Sequence, residues 1–126
     1  MKYSIDKQER FTIFNLKEDK LDSTIAPQLK TEFLTLNAEG VKNIILDFSD
    51  VKYSDSSGLS AILVANRICS QAGGLFVIVG ISDHVRKLIT ISQLDKVLTL
   101  LGTVEEAKDA VIMNELENEL RQEGNE

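Results

Sequence analysis

The sequence predicts an α/β domain: a mixed, largely parallel central sheet with about four helices and an N-terminal hairpin. Two observations carry this. The apolar runs "IIL" at 44–46 and "LFVIV" at 75–79 lack the alternation of a half-exposed strand and read as strands buried on both faces. Helical stripes lie between and after them, so the order β-β-α-β-α-β-α-β-α joins parallel strands through helices.

The chain opens with two short strand candidates, residues 2–8 and 10–16. In the second, Phe11, Ile13 and Asn15 face one way and Thr12, Phe14 and Leu16 the other. Polar residues around Glu9 supply the turn. "KEDKLD" reads as a loop. In "STIAPQLKTEFLTLNAEG" the residues Ile25, Leu29, Phe33 and Leu36 recur at helical spacing. Asp22 or Ser23 is expected to cap this helix, Pro27 suits its first turn, and Gly40 stops it.

After the strand "VKNIILDF", a second helix is expected from Ser57 to Ala72, with Leu59, Ile62 and Leu63 inward and Gly73-Gly74 as its stop. "SDHVRKLITIS" reads as a short helix with Val85, Leu88 and Ile89 inward. "KVLTLL" reads as a strand at the sheet edge. Thr103 with Glu106 forms a capping-box pattern that opens a last helix, residues 104–121. Its less polar side is expected to hold Ala107, Ala110, Val111, Asn114, Leu116 and Leu120.

Length and composition suit one domain: 126 residues, 43% hydrophobic and 27% charged. No apolar run reaches the roughly 18–20 residues that span a bilayer, and "MKYSIDKQERF" lacks the apolar core of a signal peptide. The expectation is a cytoplasmic protein without membrane insertion. Residues 105–126 hold eight acids and two bases, so the whole net charge of −6 belongs to that segment and residues 1–104 are balanced. Without a basic stripe to meet phosphates, direct nucleic-acid binding is disfavoured. Cys69 is the only cysteine and His84 the only histidine. Cys69 is expected to be a buried, inert thiol, and no metal site or cofactor is expected.

The join "SDSSGL" between strand and helix concentrates the chemistry. Asp55 or Ser56 can cap the helix start, and the free N–H groups and dipole there would tolerate a phosphate on Ser56. Gly58 is expected to let another molecule approach the backbone. Spacing alone is also satisfied by a plain N-cap and turn. Hydrolase chemistry fits poorly, because His84 lies about 28 residues on and no Gly-x-Ser-x-Gly elbow is present. Asp22 and Asp47 do not make the acid cluster of a phospho-aspartate receiver domain.

The stretch "IILDFSDVKYSDSSGLSAIL" strongly resembles the signature of the STAS family, the sulphate transporter and anti-sigma-factor antagonist domains, and above all its stand-alone bacterial antagonists. The likeness runs on through "GGLFVIVGISDHVRKLITISQLDKVL" and includes "DKLDSTIAPQLKTEF" upstream, about residues 3 to 112. It implies a STAS domain over 1–112, followed by the acidic end of the last helix and a tail at 113–126, expected to prolong that helix.

The resemblance further implies partner switching without catalysis. The unphosphorylated antagonist binds an anti-sigma factor of histidine-kinase-like ATPase fold and so frees a sigma factor. That partner phosphorylates the antagonist at the position of Ser56, and a separate serine phosphatase resets it. Asp22, Asp55, Ser57 and Gly58 match the residues around the phosphorylation site. The alternative within the family is a subunit of a larger assembly, a stress-sensing complex or a lipid or ion transporter complex. The chain departs from the family's pattern at four places. Asp19 and Lys20 replace the glycine and acid of the upstream loop, Asp83 a common proline, and Gln93 a glycine.

Overall fold

Alternation in each strand divides this protein into two unequal cores. The computed structural model describes residues 1–124. Five strands, β1 (Tyr3–Lys7), β2 (Thr12–Leu16), β4 (Ile44–Asp47), β6 (Phe76–Val79) and β7 (Thr99–Leu101), form the sheet in the order β1-β2-β4-β6-β7. Only β1 runs antiparallel to its neighbour, and the other pairings are parallel. Hence the sheet is mixed and largely parallel, with the expected hairpin at one edge and β7 at the other.

The register brings Phe14 against Leu46 and Leu46 against Ile78 on one face, and Ile13 against Ile45 and Ile45 against Val77 on the other. The first face packs on α1 (Ala26–Ala38), α2 (Ser56–Gln71) and α3 (Asp83–Ile91). Tyr3, Phe14, Phe33 and Phe76 form an aromatic chain there, with successive ring centroids 5.1, 5.4 and 6.0 Å apart. The second face is covered by α4 (Val104–Gly124), through Val104, Ala107 and Val111.

Polar bonds complete the second layer. Asn43, 2% exposed, donates through Nδ2 to the Arg10 carbonyl (2.8 Å) and to Glu115 Oε1 (2.7 Å). Its Oδ1 accepts from the Leu75 N–H at 2.8 Å. One side chain thus ties the starts of β2, β4 and β6 to the middle of α4. Beyond it, Asn118 Nδ2 donates to the Gly73 carbonyl at 3.2 Å.

Three expectations change. The loop before α1 contains a short strand, β3 (Lys20–Leu21), which pairs in parallel with another short strand, β5 (Tyr53–Ser54). A two-residue strand is too short to show a period. Ile25, not Asp22 or Ser23, stands at the start of α1, without a side-chain cap. The Asp22 carboxylate serves the turn before it, where Oδ1 accepts from the Thr24 N–H at 3.0 Å. Leu116 and Leu120 face outward, 44% and 66% exposed. After Val111 the inner side of α4 meets the polar Asn43 and the Gly73 carbonyl, so no apolar surface awaits them. The last helix, α4, runs unbroken to Gly124, three residues past its expected end at 121. Asn125 and Glu126 lie outside the described residues.

Candidate functional site at the start of α2

The site lies beyond the carboxyl end of β4, where open α/β sheets gather functional groups. After Asp47 the chain turns back through Phe48 and Val51, both buried, which anchor the loop to the core. It then forms β5 against β3. The Asp19 carbonyl accepts from Lys52 N (2.8 Å) and Tyr53 N (3.1 Å), and the Leu21 carbonyl from Asp55 N (3.2 Å). Leu21 is paired with Ser54, so Asp22 and Asp55 follow at the next step of the same ladder. Asp22 and Asp55, 33 residues apart in the sequence, thus each follow directly on a residue of the last ladder pair.

Asp55 is the N-cap of α2. Its backbone is extended, φ −106° and ψ −173°, and Oδ1 accepts from the Gly58 N–H at 3.0 Å, which satisfies one free donor of the first turn. The helix therefore begins at Ser56, one residue earlier than expected. Ser56 is exposed and Ser57 half-buried. Neither hydroxyl is held by a hydrogen bond among the described residues. Both line an open recess between α1 and α2, with Ser23, Pro27, Lys30 and Ser60.

Gly58 has a different role from the expected one. A Cβ there would stand 2.2 Å from Ser54 Oγ and 2.7 Å from the Leu21 carbonyl oxygen. The space beside its backbone is filled by the protein itself, so no outside molecule approaches it. Gly58 seats α2 on the β3–β5 ladder.

The electrostatics are mixed. Thr24 donates its hydroxyl and its N–H to Asp22, and these bonds hold the Asp22 carboxyl below its ordinary value. Lys20 adds to the effect. Lys30 brings a positive charge to the recess, and it makes no ion pair within 4 Å among the described residues. Sequence reasoning missed Lys30. Its only signal was its place one helical turn after Ala26, on the α1 face toward α2. Tyr53 and His84 were missed too: their rings stack with centroids 5.2 Å apart beside the same ladder.

The four departures leave this frame intact. At Asp19 the loop acts through its backbone carbonyl. Asp83 opens α3 behind the Ser82 cap, where an acid favours the dipole as a proline favours the bend. Gln93 adopts φ +60°, the left-handed conformation that explains the family's glycine. Cys69 is 1% exposed, and burial pushes its thiol up to about 12.

Comparison with known proteins decides the family. Residues 2–107 match the STAS domain. The chain belongs to the STAS family. A Thermotoga neapolitana protein named as a candidate anti-sigma factor antagonist is 32% identical over 80 residues, which cover 64% of this chain and 68% of that one. Among solved structures, a similarly named Thermotoga maritima protein superposes with a TM-score of 0.79 at 26% identity, over 86% of this chain and 93% of its own. The phosphorylated form of the Bacillus cell fate determinant SpoIIAA gives 0.68 at 25% identity, over 87% and 99%. No described helix is long and apolar enough to cross a membrane.

Proposed function

We propose that this STAS domain is an anti-sigma-factor antagonist switched at Ser56. The observation that supports it most is the Ser56 hydroxyl itself, exposed at the first position of α2 and engaged by no other group among the described residues, while Asp55 caps the helix. A side chain needed as the cap would be unavailable to a kinase. The names of the relatives, and the phosphorylated state of SpoIIAA, support the same reading.

In the unphosphorylated state, the surface around Ser56 docks on an anti-sigma factor of histidine-kinase-like ATPase fold and displaces its sigma factor. The Ser56 oxygen then attacks the γ-phosphorus of ATP held by that partner. The bond to the β-phosphate oxygen breaks, ADP leaves, and the serine proton passes to a base of the kinase. The product carries about −1.5 to −2 charges at pH 7. The free N–H groups of α2 and the Lys30 ammonium stabilise it within the chain. Asp22 and Asp55 beside it make the surface strongly negative, so an acidic or apolar partner face is released. A serine phosphatase hydrolyses the ester and restores the binding state.

The test is capture from the host lysate with wild type, Ser56→Ala and Ser56→Asp as baits, combined with mapping of the phosphorylated residue. A histidine-kinase-like ATPase retained by Ser56→Ala and depleted about tenfold or more by Ser56→Asp is expected, a loss of ~1.4 kcal/mol or more. Ser57→Ala should bind as wild type does. Phosphate found on Ser57 alone would move the switch by one residue. Equal recovery of transporter subunits by all baits would reduce Ser56 to a plain helix start.

A further inference from the structure

We infer that the outer face of α4 is a second docking surface, independent of Ser56, for an amphipathic helical segment of another protein whose apolar face is flanked by Lys and Arg. Eight large hydrophobic residues are exposed in the described chain, and four of them, Ile112, Met113, Leu116 and Leu120, fall on this one helix. Their spacing of one, three and four places them in one stripe. Leu34, Tyr53, Ile91 and Val97 are scattered elsewhere, as single exposed residues usually are.

The stripe cannot be turned inward. Glu115 accepts from Asn43 and pairs with Lys42 Nζ at 3.7 Å, and Asn118 is bonded to the Gly73 carbonyl. These contacts fix the rotation of α4 past its last core residue, Val111. The STAS match ends at residue 107, so the apolar stripe lies beyond the matched residues. It also lies on the opposite side of the sheet from α2, and occupancy of one site leaves the other open.

Charge selects the occupant. Glu105 and Asp109 precede the stripe on the same face, and Glu117 and Glu119 flank it on either side. Among the described residues Lys108 is the one base at its border, and it is engaged by Glu105 at 3.2 Å and lies over the Phe11 ring. Arg121 lines a recess on the far side with Lys42 and Gly73. A second copy laid against this stripe would set acids against acids. A helix with basic flanks satisfies both the apolar stripe and its rim, the helix-on-helix mode of peptide recognition.

The experiment is a titration of the isotope-labelled full chain with a synthetic Leu/Lys amphipathic helix, followed residue by residue by NMR. Controls are a Leu/Glu helix and a scrambled Leu/Lys peptide without an apolar face. The Leu/Lys helix should shift resonances of the outer face of α4 alone and bind more weakly as salt rises. Leu116→Lys should lower affinity by ~10-fold or more with the fold unchanged, since the residue is exposed. The pair Asp109→Lys and Glu117→Lys should reverse the preference toward the Leu/Glu helix. Equal binding of the scrambled peptide, shifts centred elsewhere, or no binding would each overturn the inference. So would a dimer in sedimentation that Leu116→Lys dissolves, because the occupant would then be a second copy. None of these outcomes depends on Ser56.

Discussion

The Leu21 carbonyl oxygen and Gly58 are packed so closely that a Cβ on residue 58 would stand 2.7 Å from that oxygen. The same carbonyl accepts the Asp55 N–H, so it cannot withdraw without loss of the bond that aligns the cap. A glycine in a helix costs about 0.5–1 kcal/mol relative to alanine, and here close approach offsets that cost. Gly58→Ala is therefore expected to destabilise the domain by about 1–3 kcal/mol, measured by urea denaturation. It should also weaken partner binding through the displaced start of α2, although residue 58 need not touch the partner. Unchanged stability would mean that the ladder yields easily, and that Gly58 is not the seat of α2.

A second position invites the opposite change. Gln93 is exposed and holds φ +60°, a conformation that costs a residue with a side chain about 1–2 kcal/mol. A glycine there would remove that strain and lose part of the gain to its freer unfolded chain. Gln93→Gly is expected to raise stability by up to about 1 kcal/mol, read as a higher urea midpoint at constant slope. A lower midpoint would show that the Gln93 side chain has a stabilising contact of its own.

The fold was legible where burial forced a pattern. The runs at Ile44–Leu46 and Phe76–Val79 are apolar on both faces because helices cover both, and their shortness and flanking glycines mark them as central strands. What escaped was set by pairing across distance. Lys20 and Leu21 become a strand only because Tyr53 and Ser54 stand beside them, and no local period announces that. Gly58 was marked as special on sequence, but its reason, the Leu21 carbonyl, comes from 37 residues away. Asp22 has the composition of a cap, and only the turn to Thr24 diverts it. Leu116 and Leu120 obey helical spacing, yet the sheet ends before they could be covered.

Asn43 tests how the α4 layer is held. Replacing it by alanine leaves the Leu75 N–H and the Arg10 carbonyl without their partner, and an unmet buried group costs about 1–3 kcal/mol. Asn43→Asp keeps an acceptor for Leu75 but sets a second carboxyl against Glu115 Oε1, where the amide now donates. Two such carboxyls share a proton, so their folded-state pKa rises above the unfolded value. Stability is then complete below the unfolded value and lost as pH rises. Asn43→Asp is expected to be less stable than wild type in mildly alkaline buffer and to recover in mildly acidic buffer. Asn43→Ala should show no such recovery. Parallel behaviour of the two variants would place Glu115 outside the bond in solution.

Cys69 supplies the last prediction. Its thiol is 1% exposed on α2, and burial raises it from 9.0 to about 12. Thiolate is the reactive form, so iodoacetamide should modify the native protein only as fast as the chain opens, and denaturant should abolish the protection. The shift also couples folding to alkali. Below the unfolded value both states hold the proton and the full stability is present. Between 9.0 and about 12 the unfolded chain loses its proton first, and stability falls by up to about 1.4 kcal/mol per pH unit. Cys69→Ala should lose some packing energy at neutral pH but fall less steeply in alkali, by one proton's worth of slope. Equal slopes for the two proteins, or rapid native labelling, would mean that the thiol is reached by water without unfolding of α2.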